Sequence, residues 1–310
     1  MLISLIIPCY NEEESLPIMY KALCEVATSE SSKDFEFIFV NDGSKDNTLK
    51  LVKELANTDS RVKYISFSRN FGKEAAMYAG LEKSLGEYVA LLDADMQDPP
   101  SLLPNMIKSL DNDEADIVAA RRVTREGEPK IRSFFARMFY RLINKMCDIE
   151  IADGARDFRL MKRIVVDAIL SLGEKQRFSK GIFAWVGFRT KWIEHLNVER
   201  VAGETKWSFW KLFKYAIDGI VSFTIAPMRL ATYCGFASAF AAFGYMLYYF
   251  IFAIITKVYE TVDGYPSLLC FILFIGGLIL MALGTLGEYI GRIFIEVKNR
   301  PIYITAETNT

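Results

Sequence analysis

Two carboxylates stand one residue apart in the tripeptide Asp93-Ala94-Asp95, directly after the apolar run Tyr88–Leu92. Carboxylate oxygens are the ligands that Mg²⁺ and Mn²⁺ prefer, and few protein groups usually hold such ions together with substrate phosphates. A cation held there would neutralise a departing diphosphate. Solvated acidic loops are also common, but the position directly after a predicted strand favours a metal site.

A second acidic turn, Asn41–Asp46, follows the apolar run Phe35–Val40. We expect Asp42 to accept hydrogen bonds from a base or a ribose, and Asp46 to cap the helix that follows. The first apolar run, Leu2–Pro8, also ends in polar residues. These would form the other wall of the same pocket, and they are Pro8, Tyr10, Asn11 and Glu12.

A third polar segment, Arg69–Lys73, brings two cations and a glycine to the end of the apolar run Val62–Phe67. Cationic side chains on a glycine-containing turn are suited to contacts with phosphate or with a base. A solvated loop would have the same composition, so both interpretations remain open at this segment.

The first 120 residues alternate between apolar runs and helix-like segments. The runs are Leu2–Pro8, Phe35–Val40, Val62–Phe67, Tyr88–Leu92 and, more weakly, Ile117–Ala120. The helix-like segments include Asp46–Asn57, Lys73–Ser84 and Leu102–Asn112. This alternation predicts a mostly parallel α/β sheet. Ligands of such sheets collect at the carboxyl ends of the strands, where all three polar clusters lie, so we expect one shared site.

Two long uncharged stretches, Ala231–Thr256 and Tyr265–Gly287, each exceed the roughly 20 residues that cross a bilayer. Their short connection predicts a transmembrane hairpin with helices over 229–257 and 265–290. Lys and Arg flank both outer ends, whereas the loop between the helices has one Lys and two acids. The positive-inside rule therefore places a catalytic domain over 1–205 and a tail over 291–310 in the cytoplasm.

Two further segments are expected to lie at a membrane surface. Ile131–Asp148 is a basic amphipathic helix in which Arg137, Arg141 and Lys145 share one side. An ordinary surface helix would show the same pattern. Residues 206–228 mix Trp and Phe with Lys before the first span, which is typical of a juxtamembrane amphipathic helix.

Composition excludes several classes of protein. The net charge of -1 over 310 residues argues against nucleic-acid binding. The five cysteines show no zinc or disulfide spacing. The start of the chain lacks a basic leader, so the first domain is expected to stay on the side where it is synthesised. The one histidine, His195, makes a histidine-based catalytic triad improbable, and a structural role is expected for it.

Six segments in this order resemble the family 2 glycosyltransferases of the GT-A fold: IIPCYNEE, VNDGSKDNT, SRNFGKEAA, LLDADMQDPP, DGARDFRLM and RVAGETKWSFWKL. With the two apolar helices, the chain is similar to polyprenyl-phosphate glycosyltransferases over nearly its whole length. It looks most like the bacterial bactoprenol (undecaprenyl-phosphate) glucosyltransferases and less like dolichyl-phosphate mannose synthases. Gln176-Arg177 does not continue into the Gln-x-x-Arg-Trp pattern of processive members, which favours transfer of a single sugar.

The resemblance implies a role for each motif. Metal and diphosphate would be handled by Asp93, Asp95 and Gln97, with Mg²⁺ or Mn²⁺ as the cofactor. The rest of the nucleotide-sugar site would comprise Pro8, Tyr10, Asn11, Glu12, Asp42 and Lys73. Asp157 matches the acidic residue near the reaction centre, and Asp95 is the second expected catalytic residue. The candidates for binding the acceptor phosphate are Arg122, Arg132 and Arg137.

The expected function is inverting transfer of glucose from UDP-glucose to polyprenyl phosphate at the cytoplasmic face of the bacterial inner membrane. Another donor sugar, such as mannose or aminoarabinose, is an open alternative. A nucleotide-binding membrane scaffold or flippase is disfavoured because two spans form too little of a path, and a dinucleotide oxidoreductase because no G-x-G-x-x-G follows the first strand. A homo-oligomer is possible through small residues such as Gly276-Gly277.

Overall fold

Residues 1–122, 154–195, 221, 224–256 and 265–310 are described by the structure, a computed structural model. They belong to two units, one comprising Met1–Gly219 with Arg300–Thr310 and the other comprising Ile220–Asn299. The expected interfacial segments 131–148 and 206–228 lie outside the described residues, apart from a few positions at the end of the second.

An eight-stranded sheet forms the centre of the described part of the first unit. Its strands are β1 (Leu2–Cys9), β2 (Asp34–Asn41), β3 (Val62–Phe67), β4 (Tyr88–Leu91), β5 (Ile117–Arg122), β6 (Ala155–Lys162), β7 (Thr190–His195) and β8 (Thr305–Thr308). They lie in the order β7-β5-β6-β4-β1-β2-β3-β8. Only β6 and β8 run antiparallel to their neighbours, so the prediction of a mostly parallel α/β sheet is confirmed.

The central strands are buried on both faces. Five consecutive residues of β1, Ile3–Ile7, are all fully buried, which is the pattern of a parallel strand covered by helices on each side. Those helices are α1 (Leu16–Ser29), α2 (Thr48–Thr58), α3 (Lys73–Lys83), α4 (Leu103–Asp111), α5 (Arg163–Ser171) and α6 (Ser179–Trp185).

Close packing fixes α3 against the sheet. A Cβ atom added at Gly80 would lie 2.2 Å from the Cγ2 atom of Ile6, so only glycine lets the helix approach β1 this closely. Because α3 begins at Lys73, its tight docking determines where that lysine enters the carboxyl edge of the sheet.

The antiparallel strand β6, which the sequence analysis did not predict, is inserted between β4 and β5. In its register Leu91 of β4 pairs with Arg159, and Ala90 pairs with Leu160. The same register continued past the end of β4 sets Asp93 opposite Asp157. Strand order and register therefore bring two acidic residues 64 positions apart in sequence to one point.

The second unit contains two long helices, α7 (Ala226–Thr256) and α8 (Tyr265–Lys298), which pack against each other. The hydroxyl of Tyr289 donates a hydrogen bond of 2.7 Å to the carbonyl of Thr224. Within the described residues, one helical stretch, Phe271–Lys298, is long and apolar enough to cross a membrane. Helix α8 continues past its predicted end at residue 290 to Lys298.

Part of the chain after α8 forms a β-strand. Thr305–Thr308 form β8, which adds to the sheet beside β3. The segment expected over 291–310 thus contains the end of a helix and an edge strand of the first unit.

Candidate active site

The turns after β1 and β2 are joined by side chain to backbone hydrogen bonds. The amide of Asn11 donates to Ser44 Oγ at 2.9 Å, and Asn11 Oδ1 accepts the amide of Lys45 at 2.8 Å. The amide of Glu12 donates to Thr48 Oγ1 at 2.9 Å. Asn11 has a φ of 54°, a left-handed conformation that asparagine tolerates. Residues expected to form two walls of one pocket therefore lie side by side.

Pro8, Tyr10 and Asp46 are the other residues at or beside these turns for which a role was predicted from the sequence. Pro8 is paired with Val40 in the sheet, and Tyr10 is half-buried. Asp46 was predicted to cap α2, but the N-cap residue is Asn47; Asp46 lies one position earlier and accepts the amide of Thr48, the first residue of the helix, at 3.0 Å.

Asp42 is 3% exposed and holds the loop that follows β3. Its Oδ1 accepts the amide of Phe71 at 2.6 Å, and its Oδ2 accepts the amide of Gly72 at 2.9 Å. Burial raises the pKa of Asp42, while these amide donors and Arg69 counteract part of the rise. Gly43, at a φ of 65°, lets the backbone of Arg69 approach, because a Cβ there would lie 2.5 Å from the Arg69 carbonyl carbon.

Lys73 lies between two carboxylates at the centre of the carboxyl edge. Its Nζ is 2.6 Å from Asp93 Oδ1 and 2.5 Å from Asp157 Oδ2. All three side chains are partly buried, with Asp157 the least exposed at 20%. This contact joins the start of α3, the end of β4 and strand β6.

Lys73 attracts both carboxylates of this triad, but burial and the nearby Asp157 still raise the pKa of Asp93 above its ordinary value. Burial alone would lower the pKa of Lys73, but its ion pairs with Asp157 and Asp93 outweigh that effect and raise the pKa. Burial likewise opposes ionisation of Asp157, and Lys73 overcomes it, so the pKa of Asp157 falls below its usual range. Both shifts favour the charged forms, so Lys73 is protonated and Asp157 is ionised at neutral pH.

The loop after β4 is held in an unusual conformation. Met96 has a φ of 59°, which costs a non-glycine residue about 1–2 kcal/mol. Asp95 Oδ1 accepts the amide of Gln97 at 3.2 Å, and Gln97 Oε1 accepts a hydrogen bond from Arg156 Nη2 at 3.1 Å. This hydrogen bond uses one lone pair of Gln97 Oε1 and leaves the second for a metal or a phosphate-bound water.

No role was predicted from the sequence for Asp98 and Arg156, two residues that support this loop. Asp98 is 1% exposed and accepts Arg156 Nε with both oxygens at 3.0 Å. His195 Nε2, at the end of β7, lies 2.9 Å from Asp98 Oδ1, in agreement with the structural role expected for this histidine. The hint in the sequence was the adjacency of Asp98 to Gln97 and of Arg156 to Asp157.

A buried arginine fixes the backbone of β6 at the site. Arg159 donates to the carbonyl of Arg156 at 2.8 Å and to that of Asp157 at 3.2 Å. Its guanidinium carbon lies 3.5 Å from the centre of the Phe183 ring on α6. Burial lowers the pKa of Arg159 to about 10, which still leaves it charged at neutral pH.

Of the residues predicted for the site, the donor-side groups and Asp157 share the carboxyl edge of the sheet. The described residues do not test the three predicted acceptor arginines. Arg122 ends β5, and nothing of its side chain is described. Arg132 and Arg137 lie outside the described residues.

Residues 4–170 match the sequence family Glycosyl transferase family 2, which covers more than half of the chain. The chain is a family 2 glycosyltransferase. A prophage bactoprenol glucosyl transferase homolog of Escherichia coli K12 is 43% identical over 98% of both chains. The bactoprenol glucosyl transferase of Shigella phage SfX is 44% identical, again over 98% of each. A mannosyltransferase from Pyrobaculum calidifontis, solved with GDP-Man and Mn²⁺, has a TM-score of 0.47 and 17% identity, covering 92% of this chain and 87% of its own.

The carboxylates of this glycosyltransferase fit a hard divalent cation. Asp93 already attracts a positive charge, the Lys73 ammonium, and Asp95 lies two residues away at the same strand end. No group of three or more His, Cys, Asp or Glu side chains placed to hold a metal occurs among the described residues. A site with two carboxylates suits Mg²⁺ or Mn²⁺ that completes its coordination with phosphate oxygens.

Replacing Lys73 by Met should destabilise the glycosyltransferase, because Asp93 and Asp157 would be left close together without their cation. Since Lys73 is partly exposed to water, we expect a loss of about 1–3 kcal/mol, less than for a fully buried pair. Thermal unfolding of the purified protein would measure this, with Lys73→Arg retaining most of the stability. Lys191→Met, which breaks a surface ion pair with Glu114 and a hydrogen bond to Ser109, is the matched control and should change the Tm little. Equal Tm values for the two Met variants would contradict the account.

Proposed function

We propose that this glycosyltransferase moves a single glucose from UDP-glucose to polyprenyl phosphate, with inversion at the anomeric carbon. The observation that carries the proposal is the meeting of Asp93, Lys73 and Asp157 at the carboxyl edge of the sheet. In this proposal the site of the leaving group would lie beside Asp157, a carboxylate whose pKa Lys73 lowers. The names of relatives 43–44% identical over nearly the whole chain support the glucose donor and the lipid acceptor. Another donor sugar on the same lipid remains the alternative.

The donor would lie across the turns after β1, β2 and β3. Pro8, Tyr10, Asn11 and Glu12 would form one side of the donor site, and Asp42 would form the other. Asp42 has further lone pairs for a base or ribose beyond the two amides that it accepts. Asp93 and Asp95, with Gln97 through the second lone pair of its side-chain oxygen, would hold Mg²⁺ or Mn²⁺ at the diphosphate. When bound, such a cation supplies positive charge to the departing diphosphate.

The acceptor needs little help to become a nucleophile. A phosphate monoester has a second pKa of about 6, so it is largely ionised at neutral pH. One of its oxygens forms a bond to the anomeric carbon while the bond from that carbon to the diphosphate oxygen breaks, and the electron pair leaves with UDP. Because Lys73 keeps Asp157 ionised, we assign Asp157 to orienting the acceptor and stabilising positive charge on the sugar ring, rather than to donating a proton.

Lys73 has a second task in this scheme. Its ammonium already contacts Asp93, beside which the diphosphate would bind. A cation there adds to the charge that draws the donor phosphates to the edge of the sheet. The protein's own work is therefore alignment and charge compensation.

The membrane location follows from the acceptor, because a polyprenyl phosphate keeps its phosphate at the headgroup level. We propose that α7 and α8 cross the bacterial inner membrane as a hairpin over 229–257 and 265–290. The catalytic domain, about 1–205, and both chain ends would then be cytoplasmic, as the distribution of Lys and Arg supports. Residues 131–148 and 206–228 would lie at the headgroups beside the site.

We further propose that Arg122, Arg132 and Arg137 bind the acceptor phosphate, since guanidinium groups suit phosphate oxygens. Replacing each by Gln should raise the KM for polyprenyl phosphate about tenfold or more, a loss of about 1.4 kcal/mol of binding. The KM for UDP-glucose should change less than twofold. Steady-state assays in detergent micelles with each substrate varied would measure both. A change confined to the KM for the donor would show that the assignment is wrong.

The reaction itself can be tested with membranes containing the protein, radiolabelled UDP-glucose and polyprenyl phosphate, with and without Mg²⁺ or Mn²⁺. Lipid-soluble label should form, should require the metal, and should fall at least about 100-fold, or 2.7 kcal/mol, in Asp95→Asn and Asp157→Asn. Asp113→Asn changes an exposed acid of the same domain and should keep full activity.

Three results of the same experiment would contradict or change parts of the proposal. Label that forms equally well in Asp95→Asn would refute the metal site. Label from GDP-mannose but not from UDP-glucose would select the alternative donor. A product with an α-linked sugar would exclude direct displacement, because an α-linked donor gives a β-linked product on inversion.

A further inference from the structure

We propose that the C-terminal segment Tyr303–Thr310 is a positioning element for the donor-binding loop Ser68–Lys73, and that it acts mainly through Tyr303. The inference rests on the proposed function, because it assumes that this loop borders the nucleotide. Tyr303 would touch neither donor nor acceptor. It would set the place of residues that do.

The backbone of the segment covers the edge of β3 up to the first residue of the loop. Ile65 pairs with Thr308, Ser66 with Glu307, and Phe67 with Thr305. The ladder ends with the amide of Ser68 donating to the carbonyl of Ile304 at 3.0 Å. The loop therefore leaves the sheet from a strand end that the C-terminal segment holds.

Tyr303 connects the two elements that flank the loop. Its ring stacks on that of Phe67, the last residue of β3, with the centroids 4.8 Å apart and the planes at 23°. Its hydroxyl donates to the carboxylate of Glu82 in the last turns of α3, the helix that begins where the loop ends. One side chain thus joins the strand before the loop to the helix after it.

Contacts inside the loop carry this restraint to the site. The ring of Phe67 meets the ring of Phe71 edge to face at a centroid distance of 5.7 Å. The amide of Phe71 donates to Asp42 at 2.6 Å. The path from Tyr303 to the buried carboxylate proposed to face the base or ribose therefore passes through two aromatic rings and one hydrogen bond.

Burial distinguishes this role from simple support of the core. All four residues of β8 are exposed, so the strand adds little apolar burial to the fold. Protection of a sheet edge would need the backbone ladder alone. It would not need an aromatic ring stacked where the donor loop begins or a hydroxyl bonded to the following helix.

The test compares UDP binding to the full-length protein and its variants in detergent, by calorimetry with Mn²⁺ present. Tyr303→Ala should weaken UDP binding about 5- to 20-fold, whereas Tyr303→Phe, which keeps the stacked ring, should bind within about twofold of the unmodified protein. Glu307→Ala is the matched control, because it removes the ion pair of β8 with Lys53 without touching the loop. It should bind UDP normally. In activity assays Tyr303→Ala should raise the KM for the donor more than it lowers kcat.

Two results would overturn the inference. One is normal UDP binding by Tyr303→Ala, and the other is a loss of UDP affinity in Glu307→Ala equal to that in Tyr303→Ala. If Tyr303→Ala does not fold, Tyr303→Leu replaces it, and binding by Leu equal to that by Phe would also refute the role of the ring. Failure of the unmodified protein to bind UDP would instead contradict the proposed function, so the two failures are distinguishable.

Discussion

The ammonium of Lys73 lies 2.6 Å from the carboxylate of Asp93 and 2.5 Å from that of Asp157. These two contacts allow the acidic groups of the site to lie together. Asp93 and Asp157 come from different strands and would repel each other if left alone at the edge of a buried sheet. The lysine makes their proximity stable and keeps Asp157 ionised. It also links the leaving-group side of the proposed reaction to the side where the acceptor would attack.

Each member of the triad depends on a different supporting structure. Lys73 is placed by α3, which can dock on β1 only because residue 80 is glycine. Asp157 is placed by the antiparallel register of β6 and by Arg159, which holds the backbone carbonyls of Arg156 and Asp157. The loop after Asp93 is held by the Asp98–Arg156 ion pair. The sheet, together with these hydrogen bonds and ion pairs, therefore fixes a charged site on turns that have no regular secondary structure.

The sequence was sufficient to predict the parallel core and the acidic strand ends. Buried strands such as β1 are mostly apolar, and turn residues follow them directly, so both signals are local. The contact of Lys73 with Asp157 could not be predicted from spacing, because it depends on the register of β6, a long-range pairing. The support of Asp98 by His195 depends on a second long-range pairing, that of β7 with β5.

At the C-terminal end the structure differs from the prediction in two ways, at the end of α8 and at strand β8. The second long helix was predicted to end at residue 290 because the uncharged stretch stops near Glu288. Glu, Arg and Lys are good helix formers, however, so α8 continues to Lys298. Strand β8 has the polar sequence Thr-Ala-Glu-Thr, which carries no apolar alternation, and it forms because the edge of β3 offers unpaired backbone groups.

The central claim is that Asp93 and Asp95 form an incomplete divalent cation site that the donor diphosphate completes. Titration of Mn²⁺ by electron paramagnetic resonance, with and without UDP, tests it without relying on turnover. We expect weak binding to the protein alone, because Lys73 already contacts Asp93, and affinity at least about tenfold tighter with UDP, or 1.4 kcal/mol. Asp95→Asn should remove that gain. Tight Mn²⁺ binding without UDP, or a gain unaffected by Asp95→Asn, would contradict the account.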